Sequence, residues 1–325
     1  MRKLGIAILC FIILILSYFT FTSAKKAFQS DFQMPSSSAP NKEQSRLVLI
    51  TQELETPFWD KVSSGAIEQA EKEGASLEVW GSYGNNKEDF LKKIEVAIHS
   101  KVDGIIVQGL DTEEFKSLTK FKAAFYGIPI ITVANDVPVD ESLRKTYVGS
   151  DQISAGKMIA KQLIADMGDK GNVIILGDSE QEYYQEQRLQ GINDILKDYP
   201  NVQTLYGETT DMKEQIIAST QDLMNQQPNV DAFIAVNATH AGTMIQEISK
   251  RSQVEPYYIY SFDDGPESFS LLHEGKLDGM IEQSPEKMGE LSVNLILNWL
   301  SDEAGPLEMD GYLTDIHIVK ATKPK

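Results

Sequence analysis

The strongest constraint on this chain is a repeated alternation of short, unbroken apolar runs with longer amphipathic stretches. RLVLIT is followed by residues 57–73, SLEVWGS by 87–100, DGIIVQG by 112–125, and GIPIITVAND closes the first series. The runs are continuous, as expected of strands covered on both faces by helices in a parallel sheet. Between them, Val62, Ala66 and Ala70 fall on one helical face. The rhythm then restarts: 153–167, NVIILGD, 181–197, VQTLYG, 213–225, DAFIAVN, 241–251, YYIYSFDDG, 267–274 and LDGMIEQ. Residues 285–300 add a helix striped by Met288, Leu291, Leu295 and Trp299, and DGYLTDIHIVK reads as a closing strand. The pattern predicts an α/β chain with two Rossmann-like, doubly wound parallel-sheet lobes. A length of 325 residues also favours two lobes over one core.

Two segments precede this pattern. Arg2 and Lys3 stand before an apolar run from Leu4 to Thr22, the composition of an export signal. The run just reaches the ~20 residues needed to cross a bilayer. A signal cleaved after Thr22-Ser23-Ala24 and an uncleaved membrane anchor therefore both fit residues 1–24. Cys10, the sole cysteine, lies inside the run without the small residue that lipidation needs before it, and reads as apolar filler. The exported part is thus without disulfides and depends on a packed core. Residues 25–45 are rich in Ser, Pro and polar side chains and read as a flexible linker. Without Arg2 and Lys3 the 30 basic residues fall to 28 against 48 acidic ones, a balance of −20 that opposes nucleic acid and anionic lipid as partners.

Ligands of open α/β sheets bind outside the carboxyl ends of the strands, so polar residues just past each apolar run are the candidate site. Here these are Pro57-Phe58-Trp59, Gln108, Asn135-Asp136, Asp178, Asn237, Asp263 and Gln283. Amides and carboxylates answer vicinal hydroxyls, and aromatic faces stack on the C–H side of a sugar ring. Each position also has a structural reading. Gln108 and Gln283 can satisfy turn backbone groups, Asn135-Asp136 before Val137-Pro138 is a turn signal, and Asp263 or Asp264 can cap a helix. Of Phe58 and Trp59, one is expected to pack inward, since adjacent helical residues point about 100° apart.

The rival class is a hydrolase of the GDS-esterase type, built on Gly177-Asp178-Ser179 with Asp315 and His317. Its order along the chain is wrong, and a serine without a placed base is no nucleophile. His99, His240, His273 and His317 are scattered, with no helical i, i+4 pair for a metal, and no glycine-rich phosphate loop is present. No cofactor or metal is expected.

Together, TPFWDKVSSGAIEQAEKEG, DGIIVQG, GIPIITVAND, YVGSDQISAG, RLQGINDIL, DAFIAVNATHAGTMIQ, SFDDGPES and LDGMIEQSPEKMG resemble the ribose/galactose-type periplasmic binding proteins. This branch of the type I fold is related to the sensor domains of lactose-repressor-like regulators, and the likeness covers nearly all of residues 46–320. The resemblance implies lobes of 46–149 plus 284–310 and of 150–283 plus 311–325. Three crossovers would join them, near Gly149-Ser150, Gln283-Ser284 and Gly311. It implies Thr56, Phe58 and Trp59 on the first-lobe wall, Gln108 on a hydroxyl, Asn135 and Asp136 at the fourth strand's end, and Gln152 beside the first hinge. Asn237, Asp263 and Gln283 take the second-lobe and crossover contacts. The family often carries an arginine where this chain has Glu186 and an aromatic near Asp211, and Tyr183 or Tyr184 is available as a replacement stacking face. The implied role is an extracytoplasmic sugar-binding protein that closes on a monosaccharide, performs no chemistry and presents its closed form to a membrane protein, either an ABC permease or a sensor histidine kinase.

Overall fold

A computed structural model of the chain describes residues 16–20, 44–83, 86–179, 182–251, 257–262, 267–301 and 305–321. Residues 1–44 and 45–325 form separate units. In the first, residues 16–20 are helical and the Thr20 hydroxyl donates to the Leu16 carbonyl at 2.8 Å. Among the described residues no helix is long and apolar enough to cross a membrane. Most of the expected leader and linker lies outside the described residues.

The second unit holds two six-stranded sheets. The first comprises β1 (Arg46–Thr51), β2 (Ser76–Gly81), β3 (Gly104–Gln108), β4 (Ile130–Val133), β5 (Thr146–Gly149) and β11 (Tyr312–Leu313), in the order β11-β5-β4-β3-β1-β2. The second comprises β6 (Lys170–Asp178), β7 (Asn201–Thr209), β8 (Ala232–Ala235), β9 (Tyr258–Phe262), β10 (Gly279–Glu282) and β12 (His317–Lys320), in the order β12-β10-β9-β8-β6-β7. Apart from the antiparallel β10–β12 pair, every pairing is parallel. Central strands such as β3, β4 and β8 are buried along their whole length, which is why their sequences are continuous apolar runs. Edge strand β2 alternates in exposure and carries Glu78 among its apolar residues.

Helices cover both faces of each sheet. In the first lobe Pro57–Glu73 and Pro285–Leu300 pack through Val62, Ala66, Met288 and Ile296 onto one face, while Phe90, Ile94 and Phe115 fill the other. In the second, Ile159, Leu163 and Ile192 cover one face and Ile216, Met244 and Leu271 the other. Each lobe contains one helix pair that meets at glycines. A Cβ added to Gly65 would lie 2.0 Å from the Glu286 carbonyl oxygen, and one on Gly289 2.0 Å from that of Val62. In the second lobe, Gly156 meets the Arg188 carbonyl and Gly191 that of Ile153, each at 2.1 Å. Only hydrogen fits at these contacts.

Three connections join the sheets: Ser150–Asp151 after β5, Gln283–Ser284 after β10, and residues 314–316 between β11 and β12. The last differs from the expected crossing at Gly311 and splits the expected single closing strand in two. Tyr312 and Leu313 pair with Val148 and Gly149 of the first sheet, and His317–Lys320 with Gly279–Glu282 of the second. The backbone N–H of Thr314 still donates to Gly149 at 2.8 Å, so the chain leaves the first sheet only after that residue.

Candidate ligand-binding site

The carboxyl ends of both sheets face one cavity, enclosing about 630 Å³ including the part open to solvent. Its first-lobe wall begins at Thr56, which caps the Pro57–Glu73 helix by accepting from the Trp59 backbone N–H at 3.4 Å. The cap places Phe58 and Trp59 in the first turn. Trp59 packs into the core at 2% exposure, its indole N–H donating to Glu53 at 3.3 Å. Phe58 is half-buried and meets Trp59 edge-on, ring centres 5.7 Å apart. Both rings line the cavity, with Trp59 the inward-packing member of the pair.

Gln108, at the end of β3, is buried and uses its carbonyl oxygen twice, accepting from the Thr51 hydroxyl at 2.8 Å and the Gln52 N–H at 2.9 Å. The structural reading of this residue holds, its carbonyl tying β1 to β3, and the residue also lines the cavity. After β4, Ala134 adopts φ +64°, a left-handed conformation costly for a residue with a Cβ. The turn separates the two candidates beyond it. Asn135 lines the cavity and donates to Glu182 of the other lobe at 3.4 Å. Asp136 turns away, accepting from the Thr132 hydroxyl at 2.7 Å and pairing with Arg144 at 2.6 Å. Burial raises the Asp136 carboxyl above the usual carboxylate range, outweighing Arg144 and the hydrogen bonds that lower it.

In the second lobe, Asn237 follows β8 and caps the next helix, its carbonyl oxygen accepting from the Thr239 N–H at 3.0 Å and hydroxyl at 2.9 Å. Arg188, 2% exposed, is held by bonds to the Gln152 amide oxygen and the Val236 carbonyl, both at 2.8 Å. Its guanidinium lies 4.8 Å from the Tyr184 ring centre and 4.5 Å from that of Phe262. Desolvation pushes the Tyr184 phenol well above its ordinary value, so it is a neutral hydroxyl. At the second crossover, Gln283 accepts from the Gln152 amide at 3.4 Å.

Of the residues expected at the site, Thr56, Phe58, Trp59, Gln108, Asn135, Asn237 and Gln283 line this cavity. Asp136 and Gln152 stand behind it, and Glu186 is exposed on its helix. Asp263 lies outside the described residues. Sequence reasoning missed Glu53, Arg188 and Thr239 as lining residues, and left Tyr184 open between a stacking and a surface role. Tyr184 and Arg188 are spaced i, i+4 on one helix, a signal that puts both on the same face.

The hydrolase set is not assembled. Ser179 follows β6 while His317 opens β12, four strand spacings away, or ~19 Å at the usual separation. His317 instead pairs with Glu282 at 2.7 Å. Asp178, Asp211 and buried His240 do converge, with His240 Nε2 3.1 Å from Asp211 and 3.8 Å from Asp178, an arrangement able to hold a metal ion. Sequence spacing cannot reveal this trio, because its members follow three different strands.

A family profile described as a periplasmic binding protein domain matches residues 47–304. A D-apiose import binding protein of Actinobacillus succinogenes is 27% identical over 203 residues, covering 60% of this chain and 62% of that protein. GanP, a glucose-galactose binding protein from Geobacillus stearothermophilus, superposes with a TM-score of 0.80 at 26% identity, covering 86% of this chain and 98% of GanP. XylFII in its complex with LytSN superposes with a TM-score of 0.75 at 25% identity, with coverage of 86% and 98%.

Proposed function

The chain belongs to the periplasmic binding protein family, and from that membership we propose that it is an extracytoplasmic receptor for a monosaccharide. The supporting observation is convergence. Gln108 and Asn135 from one lobe, Arg188 and Asn237 from the other and Gln283 from a crossover surround a cavity walled by the Phe58 and Tyr184 rings. Sugar hydroxyls donate and accept at once, which suits amides, while the ring's C–H face suits aromatics. The relatives' names point to the same ligand chemistry, since one is named for apiose and another for glucose and galactose. Asp263 joins the contacts through the family resemblance, whereas Asp136 and Gln152 orient the residues in front of them. With Ser179 and His317 on distant strands, binding without chemistry is the reading that fits.

In this reading the lobes hinge at the three crossovers, and sugar shifts the population toward the closed form. A membrane protein, import permease or sensor kinase, reads that form, and the apolar segment at residues 4–22 keeps the receptor beside it. Calorimetric titration of the full-length chain with a panel of pentoses and hexoses tests the proposal. One sugar is expected to bind at one site per chain, Asn237→Ala weakening it about 5- to 150-fold and Asp263→Ala by about 2–5 kcal/mol. Heat signals absent for every sugar, or unchanged in Asn237→Ala, reject it.

A further inference from the structure

At the carboxyl ends of three neighbouring strands, β8, β6 and β7, one imidazole and two carboxylates come together. Asp178 closes β6, Asp211 follows β7, and His240 stands in the first turn of the helix Ala238–Arg251 after β8. Each offers one ligand atom, and these atoms all lie within 4.8 Å of one another. His240 is wholly buried, and since its Nδ1 has no protein partner, the polar contacts of the ring are all made from Nε2. Nε2 faces both carboxylates, Asp211 at 3.1 Å and Asp178 at 3.8 Å. The Asp178 side chain is nearly buried, at 9% exposure, whereas that of Asp211 is 38% exposed and opens the trio to solvent. The Thr239 hydroxyl lies 3.0 Å from Asp211 and 2.9 Å from Asn237, so the trio adjoins the cavity that Thr239 and Asn237 line.

A proton on Nε2 answers only part of this arrangement. It donates to Asp211, and 3.8 Å to Asp178 is beyond hydrogen-bond reach. A metal ion in the proton's place bonds all three groups. Zinc holds imidazole nitrogen and carboxylate oxygen at about 2.0–2.2 Å, which sets a tetrahedral ligand-to-ligand distance of about 3.3–3.6 Å. The two separations from Nε2, 3.1 Å and 3.8 Å, straddle that distance, so small side-chain shifts complete the set. Three protein ligands leave a fourth position for water, which the exposed side of Asp211 admits. The donor set also chooses among cations: imidazole with carboxylates suits zinc, whereas calcium and magnesium ask for an all-oxygen shell of more ligands. Charge agrees, since a divalent cation balances two carboxylates and an imidazolium only one.

We propose that Asp178, Asp211 and His240 form a zinc site in the second lobe, His240 binding through Nε2 and each aspartate through one oxygen. The inference is independent of the sugar reading, because none of the three residues lines the cavity. Equilibrium dialysis of the full-length chain against micromolar zinc, with the bound metal counted by mass spectrometry, tests it. The tested proteins are the wild type, Asp211→Asn, His240→Gln and His317→Ala. The last removes the exposed imidazole that pairs with Glu282, an alternative point of attachment for a metal. About one zinc per chain is expected in the wild type and in His317→Ala, with affinity at least tenfold lower in Asp211→Asn and His240→Gln, since losing a ligand costs no less than losing the groups behind one. Excess magnesium or calcium is expected to leave the zinc in place. Asp211→Asn changes an exposed side chain without changing its shape and is expected to keep the wild-type circular dichroism, so its result stands even where His240→Gln perturbs the core. Three results overturn the proposal. The first is a wild type that takes up no zinc, which leaves a proton as the occupant of Nε2. The second is uptake that persists undiminished in Asp211→Asn or disappears in His317→Ala, which places the metal elsewhere. The third is displacement of zinc by equimolar calcium, which makes the site one of oxygen ligands alone.

Discussion

At Arg188 one buried guanidinium serves the Gln152 amide, the Val236 carbonyl and the faces of Tyr184 and Phe262. Those directions need a planar fork, and an ammonium reproduces neither the paired bonds nor the stacking. Arg188→Lys is therefore expected to lower stability by about 1.5–3 kcal/mol in urea titrations and to weaken sugar binding as well. A variant unchanged in both rejects the role. Gln108, Asn237 and Gln283 were readable in the sequence because each follows a continuous apolar run, where the strand ends and the site begins. Arg188 was not, because it sits mid-helix and nothing local distinguishes it from a surface arginine. Nor could sequence separate Asn135 from Asp136. The choice depends on the left-handed turn at Ala134, and alanine gives no warning of φ +64°.

Among the secondary-structure elements, the glycine-to-glycine crossings decide where the site's helices stand. Gly156 lets its helix approach the Arg188 carbonyl, so it sets the depth at which the Tyr183–Leu196 helix delivers Arg188. Gly65 performs the matching task against Glu286, and no residue of its partner helix Pro285–Leu300 lines the cavity. Alanine at either position overpacks a helix contact and is expected to cost about 1–3 kcal/mol. Both variants are expected to weaken sugar binding beyond their effect on stability, since Gly65 lies on the helix that carries Phe58 and Trp59 and Gly156 packs on the helix that carries Arg188. Melting curves and titrations of each variant check this, and a destabilised variant with wild-type affinity rejects it. The helices themselves were legible from their apolar stripes. The stretch at 112–125 was only partly so: its amphipathic pattern breaks into Glu113–Ser117, a π-helical turn at Leu118–Ala123 and Ala124–Tyr126.

For the whole molecule, two similar lobes followed from a rhythm that runs and then restarts, and both six-stranded sheets appear where the apolar runs fall. The destination of the final segment did not follow. YLTDIHIVK has the pattern of one strand, and only the vacant edges of β5 and β10 decide that its two halves serve different sheets. Removing residues 311–325 is expected to leave both edges bare and to drive self-association, visible as high-mass species in size-exclusion chromatography. A truncated chain that elutes as a well-folded monomer rejects this.

The short closing segment also gives the molecule a direction in time. A ribosome that has read only as far as Gly311 holds a polypeptide in which neither half is finished, since β11 and β12 both come from residues 312–320. Completion of the two halves thus awaits the same short stretch, and premature compaction during synthesis is disfavoured until residues 312–320 have emerged.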